Sequence, residues 1–506
     1  MTNVLPLPQS LREAQFLAAL DSQALSILHR DPARSPQVTI ACMQTLALLQ
    51  ARGVPGASSI LQTYASDSRA SVQQAYQKIQ QDLSTWRPVG GWYTSKDLHW
   101  LDKIVHVDLS ASGNTISIVG ARSLEGVHYL AYAPFYQQRL SIRSSDNADF
   151  TALTSLPDLT YLDVDRCDFV SDLSTLARLQ HLNELRLYWC KKLTDLTPLA
   201  GLAHLRSLDL SECAKVADLS PLSGLKRLET LNLSGCTKVT DLSPLAGLRS
   251  LETLNFSKCK HLIDLSPLAG LKALQSLNLS WGLQIVDISS LSGLSNLETL
   301  DLSFCRKLRD LPAGASWTRL KSLNLYHCSR LRTLSALIHS PDLEELDCSS
   351  SKVVDLSPLS GLSRLSKLNL YLCLDMTDLA PLAGLSNLET LYVTVDSPDL
   401  SLLKNWSRLK DVGFTFSKKI TDLSAFARLS YLTKLDLEYC SNLHDLSALA
   451  QLRKLQNLNL TGCRALSDLS PLLTCVSLCE LTLPGHIREA KEIALLEAGG
   501  VQMTFY

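Results

Sequence analysis

The segment LETLNLSGCTKVTDLSPLAGLRS (residues 228–250) is followed at once by LETLNFSKCKHLIDLSPLAGLKA (residues 251–273), and a chain that copies itself at fixed spacing has few folds open to it. Aligned on LxxLxLxxC, Cys167, Cys190, Cys213, Cys236, Cys259, Cys305 and Cys328 recur at 23 residues, with Gly282 filling the slot between Cys259 and Cys305. A unit so short cannot bury its apolar side alone, so successive copies must stack into a solenoid. Beyond Cys328 the register stutters through Ser351, Cys373, Asp396, Ser417, Cys440, Cys463 and His486, giving about fifteen turns between Leu159 and His486.

Within one turn Leu231 and Leu233 alternate with Asn232 and Ser234, the period-two pattern of a short strand with one buried face. The next segment, Asp241 to Leu248, sets Ser243 before Pro244, the order of a helix N-cap and a first helical residue. A short helical turn is predicted there, with Leu242, Leu245 and Leu248 inward and Gly247 letting the chain bend back.

LxxLxLxxC followed by DLSPLAGL resembles the leucine-rich repeat superfamily. The second half is similar to internalin-type repeats, and cysteine at the ninth position is similar to the cysteine-containing repeats of F-box proteins. The resemblance spans roughly two-thirds of the chain. It implies an α/β fold: a right-handed solenoid with a parallel sheet on its concave face and short helical turns on its convex face. It also implies partner binding through the concave sheet.

Ten ninth-position thiols in one inward column pose a choice between disulfides, a metal site, nucleophiles and packing. Neighbours about 4.8 Å apart along a line cannot converge on a tetrahedral ion, so no metal is expected. Disulfides need an oxidising compartment, and the start MTNVLPLPQSLREAQ lacks the basic and apolar regions of a secretory signal. Cys373-Leu374-Asp375 resembles the Cys-x-Asp active site of secreted bacterial ubiquitin ligases, but Cys373 occupies the column and the helical domain those ligases use is not evident. The thiols therefore read as small buried side chains with a weak donor, in a reducing environment. Cys348, at the leucine-like sixth position, agrees with this, while Cys475 and Cys479 form an isolated pair.

Composition narrows the partners. With 48 Lys and Arg against 49 Asp and Glu, the formal net charge of −1 gives no global field for nucleic acid or an anionic membrane. No run approaches the roughly 18 apolar residues of a spanning helix. A soluble, cytoplasmic protein is expected, with no membrane insertion and no cofactor. Phosphate-loop, HExxH and GxSxG signatures are absent, which argues against an enzyme.

Counting from the first leucine of the pattern, position five is mainly Asp or Asn and reads as a structural polar ladder. Positions seven and eight instead collect aromatic side chains: Tyr188, Trp189, Trp281, Phe304, Tyr326, His327, Tyr371, Phe416 and Tyr439, joined by Tyr392 at position five. Exposed aromatics on neighbouring strands suit a protein-binding hot spot. The alternative is that position-eight rings shield the edge of the ladder. The irregular turns LPAGASW (311–317) and VTVDSPDLSLLKNW (393–406) mark a change of shape or a contact.

Residues 1–90 read as a small helical domain, residues 91–158 as degenerate early repeats with an N-terminal cap, residues 159–486 as the solenoid and residues 487–506 as a cap of one helix and a final strand. Leu7-Pro8, Leu11, Phe16-Leu17, Leu20 and Leu25 resemble the opening of an F-box, though its later Val-Cys-Arg and tryptophan do not follow. These observations converge on a non-enzymatic module that binds a protein partner, with delivery of a bacterial effector into a host cytosol as its setting. An F-box-like ubiquitin-ligase adaptor acting through residues 1–86 is the alternative.

Overall fold

The computed structural model describes residues 56–85, 104–108, 115–119, 139–143, 150–156, 158–167, 170–396 and 400–506, with isolated positions between 39 and 50. The F-box-like stretch from Leu7 to Leu25 lies outside them. The chain divides into two compact units, Met1–Cys236 and Thr237–Tyr506.

In the first unit, helix α1 (Ala57–Thr63) runs into a single 3-10 turn and is followed by α2 (Ala70–Thr85). Met43, Leu46, Ile60, Leu61, Tyr64 and Val72 bury against one another as a small core. Asp67 holds Arg69 at the start of α2, 2.7 Å from its guanidinium, and Arg69 reaches Thr39 at 3.0 Å. Strands β1 (Ile104–Asp108) and β2 (Thr115–Val119) pair antiparallel, a departure from the repeat pattern. From β2 onward every pairing in this unit is parallel, through β3 (Arg139–Arg143), β4 (Tyr161–Asp165), β5 (Glu184–Tyr188), β6 (Ser207–Asp209) and β7 (Thr230–Asn232).

The second unit continues the repeat through β8 (Thr253–Asn255), β9 (Ser276–Asn278), β10 (Thr299–Asp301), β11 (Ser322–Asn324) and β12 (Glu345–Asp347). It goes on through β13 (Lys367–Leu370), β14 (Thr390–Thr394), β15 (Asp411–Thr415), β16 (Lys434–Asp436), β17 (Asn457–Asn459) and β18 (Glu480–Leu483) to β19 (Gln502–Phe505). All of these strands are parallel, and like positions of the repeat face each other in register, as in Leu300 beside Leu277 and Leu323.

Short 3-10 turns alternate with the strands, and the serine-proline pair opens many of them, as at Ser243–Leu245 and Ser266–Gly270. The capping group differs from the sequence expectation. Ser243 is the first residue of its turn and makes no side-chain cap; Asp241 Oδ1 accepts the Ser243 N–H at 2.8 Å instead. An aspartate two residues ahead can close this Asx turn, whereas a serine inside it has its hydroxyl drawn back onto the same carboxylate at 3.0 Å.

The leucines of each turn are almost wholly buried, and the ninth-position cysteines with them. Thiols of this column point at the sixth-position carbonyl of the preceding turn: Cys213 donates to Leu187 at 2.8 Å, Cys328 to Leu302 at 3.1 Å and Cys440 to Phe414 at 3.0 Å. Ser417, standing in the same column, donates its hydroxyl to Val395. Burial pushes Cys305, Cys440 and Cys463 up to about 12, so they stay thiols. Cys373 is also buried, its thiol raised by desolvation and bonded to the Cys348 carbonyl, which is not the setting of a nucleophile.

The two irregular turns are core substitutions. Trp317 and Trp406 are wholly buried, and their indole N–H groups donate to the carbonyls of Leu291 and Leu382 at 3.0 and 3.1 Å. An indole fills the volume of a missing leucine only because its one polar atom finds an acceptor.

Candidate functional site

Position five sets the geometry of the exposed strand ends. Its Asp or Asn oxygen accepts the N–H two residues on, as Asp301 does from Ser303 at 2.8 Å and Asn324 from Tyr326 at 3.0 Å. Asn amides also reach sideways, Asn369 to Asp347 at 2.9 Å and Asn459 to Asp436 at 3.0 Å. The ladder read from the sequence is therefore structural, and it turns the chain outward at position seven.

Position eight then adopts the left-handed region. Its φ lies near +60° at Trp189, Trp281, Phe304, His327, Phe416 and Tyr439, and glycine occupies the slot at Gly235 and Gly462. The conformation is fixed by the next turn, whose position-seven carbonyl accepts the N–H: Ser303 from Trp281 and Ser349 from His327, both at 2.8 Å. A side chain there costs about 1–2 kcal/mol relative to glycine. Bulky rings in that slot are not selected by the backbone.

The structure sorts eight of the ten aromatic side chains named from the sequence into three groups. In the second unit Trp281 and Phe304 stack at 3.9 Å and 14°, Tyr326 meets Phe304 edge-on at 5.0 Å, and His327 lies 5.2 Å from Phe304. Trp281 and Tyr326 are each 38% exposed. Phe416 and Tyr439 form a second stack at 4.8 Å, and Tyr439 lies so close over Gly462 that a Cβ there would meet the ring at 2.4 Å. In the first unit Tyr188 and Trp189 sit 5.6 Å apart, with the Arg166 guanidinium 5.0 Å over the indole.

Tyr371 and Tyr392 are half-buried and do different work. Tyr392 lies over Gly413, where a Cβ would meet its ring at 2.4 Å, and its hydroxyl donates to Asp411 at 2.5 Å. Burial foremost, then that carboxylate, pushes its phenol upward. Tyr371 is raised first by burial and then by the nearby charge of Glu438. Burial likewise raises Asp436 and Glu438. Tyr392 thus closes over Gly413 rather than joining the stacks.

The sequence reading stopped at position eight and missed what lies beyond it. Arg306, at position ten, places its guanidinium 5.7 Å over Phe304, and Lys307 donates to Gln284 at 2.5 Å. Basic residues recurring at positions ten, eleven and thirteen were the available signal. No group of three or more His, Cys, Asp or Glu able to hold a metal occurs among the described residues.

A leucine-rich repeat family model, in two-copy form, matches residues 203–247, 226–270 and 272–314. The chain belongs to the leucine-rich repeat superfamily. Among solved structures it is similar to a leucine-rich repeat protein of Leptospira interrogans, at 17% identity and a TM-score of 0.54, covering 76% of this chain and 93% of that one. An internalin of Listeria monocytogenes matches at 23% identity over 73% of this chain and 86% of its own, with a TM-score of 0.38. Another internalin of that organism, whose functional domain is described as including a cysteine ladder, matches at 19% identity over 60% of this chain and 68% of its own, with a TM-score of 0.45. No curated protein sequence matches. Among the described residues no helix is long and apolar enough to cross a membrane.

Proposed function

We propose that this leucine-rich repeat protein is a non-enzymatic binding module that holds a protein partner on the aromatic strand ends of its second unit. Leucine-rich repeat proteins are generally protein-interaction scaffolds, which supports the class. The observation that carries the site is the stack of Trp281 and Phe304, with His327 against it, at positions where the backbone favours glycine, and with Tyr326 edge-on beside Phe304. Rings kept there against backbone preference, and left partly exposed, have the character of interface anchors. The buried, reduced thiols fit a reducing compartment, and we propose a bacterial effector delivered into a host cytosol as the setting.

The test is affinity purification from host and bacterial cytosols with the intact chain, with Trp281→Ala/Phe304→Ala/Tyr326→Ala, and with residues 1–86 removed, folding of each checked by circular dichroism. Loss of a retained partner in the folded triple variant supports the site. Retention by that variant, with loss on removing residues 1–86, overturns it in favour of the N-terminal segment.

A further inference from the structure

The two rims of the second unit treat charge in opposite ways. At the entry to the strands, cations are repeatedly paired with acids: Arg319 and Lys321 share Glu298 at 2.6 and 2.7 Å, Lys367 meets Glu345 at 2.5 Å and Arg364 meets Asp342 at 2.7 Å. At the exit, just past the aromatic stack, Arg306, Lys307, Arg309, Arg330, Arg332 and Lys352 are all exposed, and none makes an ion pair among the described residues. The turns that carry them are adjacent, since the Arg332 N–H donates to the Arg309 carbonyl at 3.2 Å and the Lys352 N–H to Leu331 at 3.0 Å. Like charges thus recur at a spacing of about 4.8 Å without a carboxylate among residues 306–309, 329–332 or 351–354. The row of aspartates behind them is also broken here, because Thr333 stands where the neighbouring turns have Asp310 and Asp355, and its hydroxyl oxygen accepts the Ser335 N–H.

Uncompensated repulsion of this kind weakens the free protein and is relieved when a partner brings the opposite charge. The same rim exposes aliphatic side chains, Ile263 at 67% and Val286 at 50% at position thirteen and Val354 at 52% in the shorter turn that follows Cys348. We propose that the exit rim of residues 306–354, together with the stack at Trp281 and Phe304, docks an acidic protein segment that carries aliphatic side chains between its carboxylates. The inference deepens the binding function above and rests on it for the aromatic half of the surface. A protein segment is favoured over single-stranded nucleic acid on two grounds. Exposed aliphatics offer a base nothing that an apolar side chain would not use better, and Trp281 and Phe304 already cover one face of each other.

The experiment measures fluorescence anisotropy of labelled probes with the full chain: a repeating Glu-Glu-Leu peptide, the Lys-Lys-Leu counterpart and oligothymidylate of equal length. The acidic peptide is expected to bind, to weaken with added salt, and to lose at least about tenfold in affinity in Arg306→Glu/Arg330→Glu/Arg332→Glu. All three sites are exposed, and an unchanged thermal midpoint confirms the fold. Equal binding of the basic peptide, tighter binding of oligothymidylate, or an unaffected charge-reversed variant overturns the proposal. The two readings fail separately. A captured partner that depends on the aromatic triple but not on the charge reversal keeps the binding function and sinks the acidic-segment inference. Peptide binding that depends on the charge reversal but not on the aromatic triple keeps the rim and sinks the stack as its anchor.

Discussion

Trp281 is held in a backbone conformation that disfavours its own side chain, and this allows backbone and ring to be separated by experiment. Replacing it with Gly removes the ring and the left-handed penalty together; replacing it with Ala removes only the ring. Stacking on Phe304 is worth about 0.5–1.5 kcal/mol and the conformational penalty about 1–2 kcal/mol, so the two nearly cancel in Trp281→Gly. Trp281→Gly should therefore melt close to the parent and Trp281→Ala below it by about 1 kcal/mol, read by thermal denaturation; equal midpoints for the two variants would sink the left-handed argument. The thiols give a second expectation at this scale. Among the described cysteines Cys479 alone is exposed, whereas Cys305 donates to the Leu279 carbonyl at 3.4 Å with its pKa pushed up to about 12 by burial. Iodoacetamide should label Cys479 in the native protein and reach Cys305 only after unfolding, as mass spectrometry of digests would show. The sequence made the packing role of these thiols legible through period and position. It did not reveal the αL backbone of position eight, because Glu212, Lys258 and Ser350 share that conformation with the aromatics and share no residue type with them.

At the scale of one element, two kinds of aspartate respond to pH with opposite sign. Asp264, Asp355, Asp445 and Asp468 are held below the ordinary carboxylate range, first by the serine N–H each accepts and then by that serine's hydroxyl. Their stabilisation is present above the unfolded pKa of about 3.9 and is lost as pH falls through their depressed folded values. Asp436 behaves in reverse. Burial raises it, so its ionised form is penalised in the folded state, and the penalty is fully present at neutral pH. Asp436→Asn keeps an oxygen to accept the Glu438 N–H and the Asn459 amide, now at 3.0 Å each, while removing the charge. The variant should have a higher thermal midpoint than the parent at pH 7. That gain should shrink as pH falls through the raised pKa of Asp436 and vanish below about 3.9. A gain independent of pH would show that packing, not charge, was changed. The Asx turn explains why a sequence pattern of Asp-Leu-Ser-Pro could be read for its helical turn yet misread for its cap: both Asp and Ser have suitable oxygens, and only the backbone position decides which one closes the turn.

For the molecule as a whole, the repeat made the solenoid legible because every turn restates the same burial pattern, whereas the basic exit rim is written in residues that the pattern leaves free. The same logic governs how the stack ends. A strand at the edge of a sheet offers unpaired N–H and C=O groups, and β18 would offer them beside the buried side chains of Leu481 and Leu483. In the protein β19 pairs with β18 in parallel register, and the Tyr506 carbonyl accepts the Gly485 N–H at 2.7 Å. Helix α3 (Glu492–Ala498) buries Ile493 and Leu496 and packs on the 3-10 turn Ser470–Thr474. Removal of residues 485–506 leaves the second unit with both an open edge and an uncovered apolar end. The truncated protein should melt lower than the intact chain and associate in a concentration-dependent way, measured by sedimentation velocity across a dilution series. Association should be suppressed by Leu483→Lys in the truncated protein, since a charge at the bare edge blocks strand addition, although that change lowers the midpoint further. A truncated protein with the sedimentation and melting behaviour of the intact chain would mean that the last full turn needs no cover, and that α3 and β19 serve another purpose.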